Sequence, residues 1–294
     1  MFFLLSAAML YAEEPQDNFE SKSIWDYHPI HVGSNVLFFS PAAVDVRKDS
    51  HQGHLLFNKQ NVYFYAIIPA SKSTFFFPRV EWNRFTLDWN KNPKFHQTHF
   101  EYIQFALTCF SLAIEQWRWI GRVEYNVAVN QFAKAHKYSL FSALLWGAHE
   151  LNEKWHCHLG AVGYTGFEGQ MIYPIVGLDY APTKKWLIQV IFPINYSVEY
   201  AITDRWRLSI KGRPLKERFR TGKNNPQPRS VFSYSSMGAE LNLHYEKFLH
   251  IEAEVFAGYS FGGNFYIKDR TGHNALYTNL QQASYAGASL NWGF

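Results

Sequence analysis

Long hydrophobic runs are missing from this 294-residue chain. Nothing in it approaches the roughly 18 uninterrupted apolar residues of a membrane-spanning helix, and mean hydropathy is −0.25. A helical membrane protein is therefore not expected. Cysteine is scarce: the two residues, Cys109 and Cys157, are too few for a disulfide scaffold. Each falls on the apolar side of a predicted strand, with Phe105 and Leu107 or with Leu159 and Ala161, so two free thiols facing lipid or core are expected. A strong excess of one charge is lacking too. The net charge is +4 with both signs spread along the chain, and there is one basic cluster and no nucleic-acid-binding motif, so no nucleic-acid partner is indicated.

Aromatic residues, by contrast, are abundant at 18%, with 26 Phe, 18 Tyr and 10 Trp. Such a load fills a large soluble core or forms two girdles at membrane interfaces. Period-two alternation is the second positive signal. From Glu115 to Val129, Trp117, Trp119, Gly121, Val123, Tyr125, Val127 and Val129 share one face, and Arg118, Arg122, Glu124 and Asn126 share the other. A cation facing lipid at mid-membrane costs roughly 2 to 4 kcal/mol, so in a barrel the Trp face looks outward and the Arg face inward. Trp206, Leu208 and Ile210 oppose Arg207, Ser209 and Lys211; Leu241 and Leu243 oppose Glu240 and Asn242; Ile251, Ala253 and Val255 oppose Glu252 and Glu254. The predicted lumen-facing set is Arg118, Arg122, Glu124, Arg207, Lys211, Glu240, Glu252 and Glu254.

At the N-terminus, Phe2 to Leu10 is a short apolar core and Ala8 to Ala12 supplies small residues, which suits an export signal cleaved after Ala12, although no Lys or Arg follows Met1. The predicted layout is a signal peptide over 1–12, a periplasmic lead-in over 13–32 and a barrel over 33–294. The last strand places Ala286, Ala288, Leu290, Trp292 and Phe294 on one side. Gly287, Leu290, Trp292 and Phe294 together resemble the C-terminal signal of bacterial outer-membrane barrels, and the resemblance implies the barrel-assembly machinery as a partner. Outer-membrane lipid is the other expected partner; oligomeric state is left open.

Counting back from Phe294, connections alternate long and short, as they do between the outer and periplasmic ends of outer-membrane barrels. Long outer connections are predicted at 47–60, 88–97, 130–137, 165–170, 213–229 and 262–280. Pro193-Ile194 breaks the rule as an outer connection of two residues, a kink or a tight hairpin. Runs of about eight residues between 185 and 212 fall below the roughly 9 to 11 a crossing needs, so the prediction is an all-β transmembrane antiparallel barrel of 12 to 14 strands.

Tyr173-Pro174-Ile175-Val176-Gly177-Leu178-Asp179-Tyr180-Ala181-Pro182, followed by Trp186, Phe192-Pro193, Tyr200 and Trp206, resembles a bacterial family described as an outer-membrane β-barrel domain of unknown function. The resemblance is clearest over 155–215. It implies architecture and location and brings no catalytic residues. The Gly-Leu-Asp-Tyr-x-Pro phrase has a structural use, ending a strand at an interfacial Tyr and turning at Pro182.

Sites of chemistry are sparse. His156 and His158 form a His-x-His pair with His149 across a turn, all three read as lumen-facing; polar filling of the lumen outweighs metal binding, and no metal or cofactor is assigned. Outer-membrane lipid hydrolases carry a His-x-Ser pair, but here two residues separate His31 from Ser34, which puts them on opposite faces of a regular strand, so no catalytic residue is assigned. The basic segment with Arg213, Lys216, Arg218, Arg220, Lys223 and Arg229 is a solvated loop or a partner for lipopolysaccharide phosphates. The expected function is a non-enzymatic outer-membrane barrel, either a small-solute pore or a structural surface protein. The alternatives are an outer-membrane lipid-modifying enzyme and a soluble β-rich periplasmic protein.

Overall fold

A computed structural model describes residues 29–45, 53–89, 98–134, 139–165, 171–221, 230–248, 251–268 and 276–294. The described residues form fourteen antiparallel strands closed into one barrel. In chain order these are β1 (Ile30–Phe39 and Ala42–Asp45), β2 (Gly53–Ala66 and Ile68–Ser71), β3 (Thr74–Trp89), β4 (His99–Ser111), β5 (Trp117–Ala128), β6 (Ser139–Asn152) and β7 (Trp155–Tyr164). Then come β8 (Met171–Thr183), β9 (Trp186–Phe192), β10 (Asn195–Ala201), β11 (Trp206–Arg220), β12 (Val231–Phe248), β13 (Ile251–Lys268) and β14 (Leu276–Leu280 and Ala283–Gly293). Each strand pairs with the next, and β1 closes on β14 from His31↔Gly293 to Phe39↔Tyr285, leaving no sheet edge around this girth. No helix among the described residues is long and apolar enough to cross a membrane.

The end that carries Ile30 and Phe294 is called the near end, and the opposite one the far end. Near-end connections such as 72–73, 153–154 and 184–185 are short, and most far-end ones are long. The exception, Pro193-Ile194, is a tight turn that follows a cis Phe192–Pro193 bond. Both strands flanking it cross with only seven residues, which settles the count at fourteen.

The outer surface follows the expected alternation. Val123 and Tyr125, Leu208 and Ile210, and Leu290 and Trp292 are exposed, while Arg122, Glu124, Ser209 and Asn291 are buried inside. Aromatics gather on the outside near the near end, many as register partners on adjacent strands. Trp155 stacks on Tyr180 at 4.3 Å, Trp186 meets Tyr200 at 4.8 Å and Trp206 meets Tyr245 at 4.6 Å. This is the interfacial girdle of a membrane barrel.

Three stretches read from sequence as loops are strand instead. Residues 53–60 extend β2, 213–220 extend β11, and 262–268 with 276–280 extend β13 and β14. These extensions lie beyond the apolar outer band; β2 and β11 keep their inward parity there, whereas β13 and β14 switch it. On β13 the buried residues are Glu254, Phe256 and Ser260, then Phe265 and Ile267. The switch falls at Gly262-Gly263, where Gly262 has φ +93 and the pairing with β12 slips, a bulge that only glycine adopts without strain. Similar breaks lie between Phe39 and Ala42 on β1 and between Leu280 and Ala283 on β14. The export-signal reading, Lys223 and Arg229 fall outside the described residues.

Candidate functional site

The barrel interior is the candidate site, and its filling changes along the axis. In the near and middle layers inward charges meet partners on the wall itself. Arg79 bonds Glu81 at 2.5 Å while lying 3.9 Å above the Tyr63 ring, and Asn61 donates to the same carboxylate at 2.7 Å. Arg122 pairs with Glu124 at 2.6 Å, and the Ser142 hydroxyl donates to Glu124 at 2.6 Å. Lys211 lies 3.4 Å from Glu254, and Arg213 donates to Glu240 at 2.8 Å. Glu240 also accepts from the Tyr285 hydroxyl, and Glu254 from Asn242. Arg207 sits 3.7 Å from Glu246, Glu252 accepts from Asn291 at 3.1 Å, and Arg118 is half-buried. Among the described residues basic and acidic groups are thus interleaved along the wall.

The far layer is apolar and aromatic. Phe39, Phe57, Phe85, Phe100, Phe219, Phe232, Tyr234 and Phe265 form one buried cluster with Leu55, Leu87 and Ile267. Phe219 of β11 lies 4.9 Å from Phe100 and 5.0 Å from Phe85, on strands halfway round the barrel. These contacts require the far half of β11 to cross the lumen. Its pairing to β10 ends at Tyr196↔Gly212, yet pairing to β12 continues to Arg220↔Val231. Above the short β9–β10 hairpin no described strand pairs with β11 on that side, and β11 leans inward.

Both faces of the leaning segment make contacts. On one, Glu217 pairs with Lys59 of β2 at 2.6 Å. On the other, Lys216 lies 5.3 Å from the Tyr173 ring and Arg218 5.4 Å from the Tyr164 ring, while Arg218 donates to the Thr165 carbonyl. Tyr164 and Tyr173 share the inward parity of buried Val162 and Ile175. The outer side of β11 therefore rests against the inner side of β7 and β8. Pro174 and Pro214 stand on the two strands bordering the gap, where a missing N–H costs no ladder bond.

Sequence reasoning overlooked Asp179. It is buried, and its Oδ2 lies 2.9 Å from His158 Nε2, while Trp146 donates to His158 Nδ1 at 3.1 Å. The acidic residue inside Gly-Leu-Asp-Tyr, at an inward position of an otherwise apolar run, was the available signal. The histidine trio is corrected in part. His149 registers with Cys157 on the outer side and stacks on Trp117 at 4.7 Å, whereas Glu150 registers with His156. No cluster of three metal-ligating side chains occurs among the described residues. His31 is buried and stacked on Tyr65 at 4.5 Å; Ser34 lies on the opposite parity. Cys109 and Cys157 are free and half-buried. Leu290, Trp292 and Phe294 are exposed on the outer face, and Gly287 leaves room for the Phe256 ring.

Among known proteins the chain is 24% identical over 202 residues to an uncharacterized protein of Chlamydia pneumoniae, covering 68% of this chain and 63% of that one. It is 22% identical over 204 residues to an uncharacterized protein of Chlamydia trachomatis, covering 67% and 62%. The chain thus spans less than two thirds of these relatives. Similar solved structures include an outer membrane channel from Pseudomonas putida F1, with TM-score 0.49 and 8% identity over 93% of this chain and 100% of that one. Another is the translocator domain of the autotransporter NalP from Neisseria meningitidis, with TM-score 0.44 and 11% identity over 99% and 97%. A family model described as a domain of unknown function, DUF6268, matches residues 100–293.

Proposed function

The chain belongs to this DUF6268 family, and from that premise we propose that it is a non-enzymatic barrel of the bacterial outer membrane whose resting state is sealed. In this reading the near end is periplasmic and the far end faces outside. The outer row Leu290, Trp292 and Phe294 is what the barrel-assembly machinery reads. The protein acts as a structural surface protein and not as a constitutively open small-solute pore.

One observation carries this reading. A water-filled pore keeps its lining charges hydrated, because burying an unpaired charge is costly, whereas inward Arg122, Glu124, Glu240 and Glu254 are only 4, 7, 5 and 5% exposed and all are paired. The absence of an assigned nucleophile and base rests on the opposite parities of His31 and Ser34.

Planar-bilayer recording of the heat-modifiable, folded barrel tests the reading. The expected record is silent, and the same preparation releases no fatty acid from phospholipid. Regular conductance steps from the wild-type chain would overturn the sealed state and favour a pore.

A second reading has its own support. Beyond Gly212 the β11 strand has no partner on its β10 side, so the lumen-crossing hairpin is held by side chains instead of a ladder on that edge. If it gates a small-solute channel, Phe219→Ser together with Phe232→Ser yields conductance where the wild type yields none.

A further inference from the structure

The near-end aromatic girdle is interrupted on one side. The three Trp–Tyr pairs named above and the Trp117–His149 stack place a ring with a polar atom at or beside the near end of successive strands from β5 to β12. From β13 round to β4 the corresponding outward residues are Ile251, Phe294, Ile30, Ile68, Thr74 and Ser111. Trp292, one outward step above Phe294, is the one outward Trp or Tyr at that end of this side among the described residues. Trp and Tyr gather where a wall meets lipid headgroups, so a wall poor in them fits a protein neighbour better than lipid. β1 lies within this interval. Its Ser34 is, among the described residues, the one Ser or Thr that faces outward in the middle of the apolar band. Hydrocarbon offers that hydroxyl neither donor nor acceptor.

The face around Ser34 is also complementary to itself. Ser34 is in register with Leu290 on β14 and with Val62 on β2. Rows of register partners climb around the barrel: the row that starts at Ile68, at the near end of β2, passes through Cys109 and Leu145 to Pro174 on β8. Pro174 stands six residues above the girdle residue Tyr180, so the climb from β2 to β8 is about one residue per strand, as tilted barrel strands require. On β14, therefore, Ala288 and not Leu290 is level with Val62. Val62 and Phe64 are exposed knobs on β2, whereas Ala286, Ala288 and the neighbouring Ala257 of β13 leave a depression. Barrels in one membrane share one orientation. A two-fold axis normal to the membrane beside Ser34 thus keeps heights and exchanges sides, so that Val62 of each copy meets the depression of the other and the two Ser34 hydroxyls meet at the axis.

We propose that this outer face, centred on β1, binds a second copy of the chain, and that the protein is a two-fold dimer in its membrane. The proposal rests on the outer-membrane reading given above, since an interrupted girdle and an outward hydroxyl are unfavourable only against lipid. Small residues let two walls approach closely, and a serine pair across the contact supplies the hydrogen bond that lipid cannot. Such a contact uses the same patch on both copies and closes at two.

The test uses the full chain refolded in phospholipid vesicles. In a background of Cys109→Ser with Cys157→Ser, Ser34→Cys is expected to form a disulfide between copies under a mild oxidant, whereas Val190→Cys, outward on β9 in the girdled wall, is not. Native mass spectrometry of the wild type in mild detergent should show dimers. Ala288→Trp, which fills the depression, should give monomers, and Ser34→Val should weaken the dimer about three- to tenfold. Ala161→Trp, outward on β7, should leave it intact. Migration with and without boiling reports folding for every sample.

A folded wild type that is monomeric, with no cross-link through S34C, overturns the second copy, and so does an unchanged dimer in folded Ala288→Trp. In such a monomer, protection of the S34C thiol from a lipid-soluble maleimide would assign the face to the chain's own residues 13–28, and full labelling would assign it to lipid; either result overturns the dimer and leaves the membrane reading standing. A chain that stays soluble, with no shift on boiling, overturns the membrane reading and the dimer with it.

Discussion

Towards the far end, Phe85, Phe100, Phe219 and Phe232 meet ring to ring across the lumen; towards the near end and the middle, Arg79, Arg122, Lys211 and Arg213 each meet a carboxylate. The two fillings line the same tube by different physics. A membrane-embedded wall spends its apolar residues on lipid, so its inner face is left polar and must be neutralised pair by pair. Beyond the apolar band the outer face meets water, and the extended strands are free to turn apolar residues inward and collapse on one another. The bulge at Gly262-Gly263 and the matching breaks on β1 and β14 mark where one regime gives way to the other.

The largest effect that separates the regimes is expected from Glu240→Leu. It strands the Arg213 guanidinium and the Tyr285 hydroxyl in a buried place, which costs about 3–5 kcal/mol. Replacing both partners, Arg213→Met with Glu240→Leu, should recover most of that loss, because a buried pair often does no better than apolar residues of similar size. Urea unfolding in lipid vesicles, followed by tryptophan emission, reads both. A double variant as unstable as the single one would contradict the pairwise account of the inner layer.

In the aromatic layer no such rescue exists. Leu55, 1% exposed in the apolar cluster, should lose about 3 kcal/mol on substitution by alanine, from lost transfer free energy plus the cavity left behind. Adding a second truncation at a contacting residue should deepen the loss. If a charged or polar second substitution restored stability, the far layer would be hydrated and the contrast between halves would fail.

Gly262→Val is expected to cost about 2 kcal/mol, since φ +93 is strained for any residue with a branched Cβ. The deeper consequence is register. Without the bulge, Phe265 and Ile267 would turn outward, so the variant should bind more of a hydrophobic dye at the far end while its membrane band keeps its heat-shifted migration. Unchanged dye binding would mean that the parity switch is imposed from elsewhere.

The membrane band was legible in the sequence because a period of two, combined with the cost of a cation in lipid, leaves one arrangement for Trp117 to Tyr125 and for Leu208 to Lys211. Fourteen strands could not be told from twelve, since nothing local shows that Trp186–Phe192 and Asn195–Ala201 cross in seven residues. The far layer was read as loop for a physical reason: at 213–220 and 262–268 the outer residues are polar or charged, and the parity switch at Gly262 breaks the alternation. Contacts such as Lys59 to Glu217 join residues 158 apart in sequence, and no local pattern announces them. His149 was misplaced by a single residue of register, because Glu150 and not His149 faces inward with His156. Asp179 was passed over because its motif also makes sense as a strand end.

The smallest expected effect tests where lipid stops. Arg84 and Glu101 are register partners on the outer parity of β3 and β4, 3.7 Å apart, with side chains 41 and 32% exposed. The outward residues one step nearer the membrane, Trp82 and Ile103, are apolar. If the pair stands in water just above the band, Arg84→Gln costs only about 0.5 kcal/mol, as exposed ion pairs do, and the difference fades in high salt. If the band rises past this level, the same substitution leaves Glu101 alone among lipid chains, and the loss would be several times larger and insensitive to salt. Unfolding midpoints at low and high salt decide between them, and they fix the height at which the interior of the barrel is released from the constraint that lipid places on its exterior.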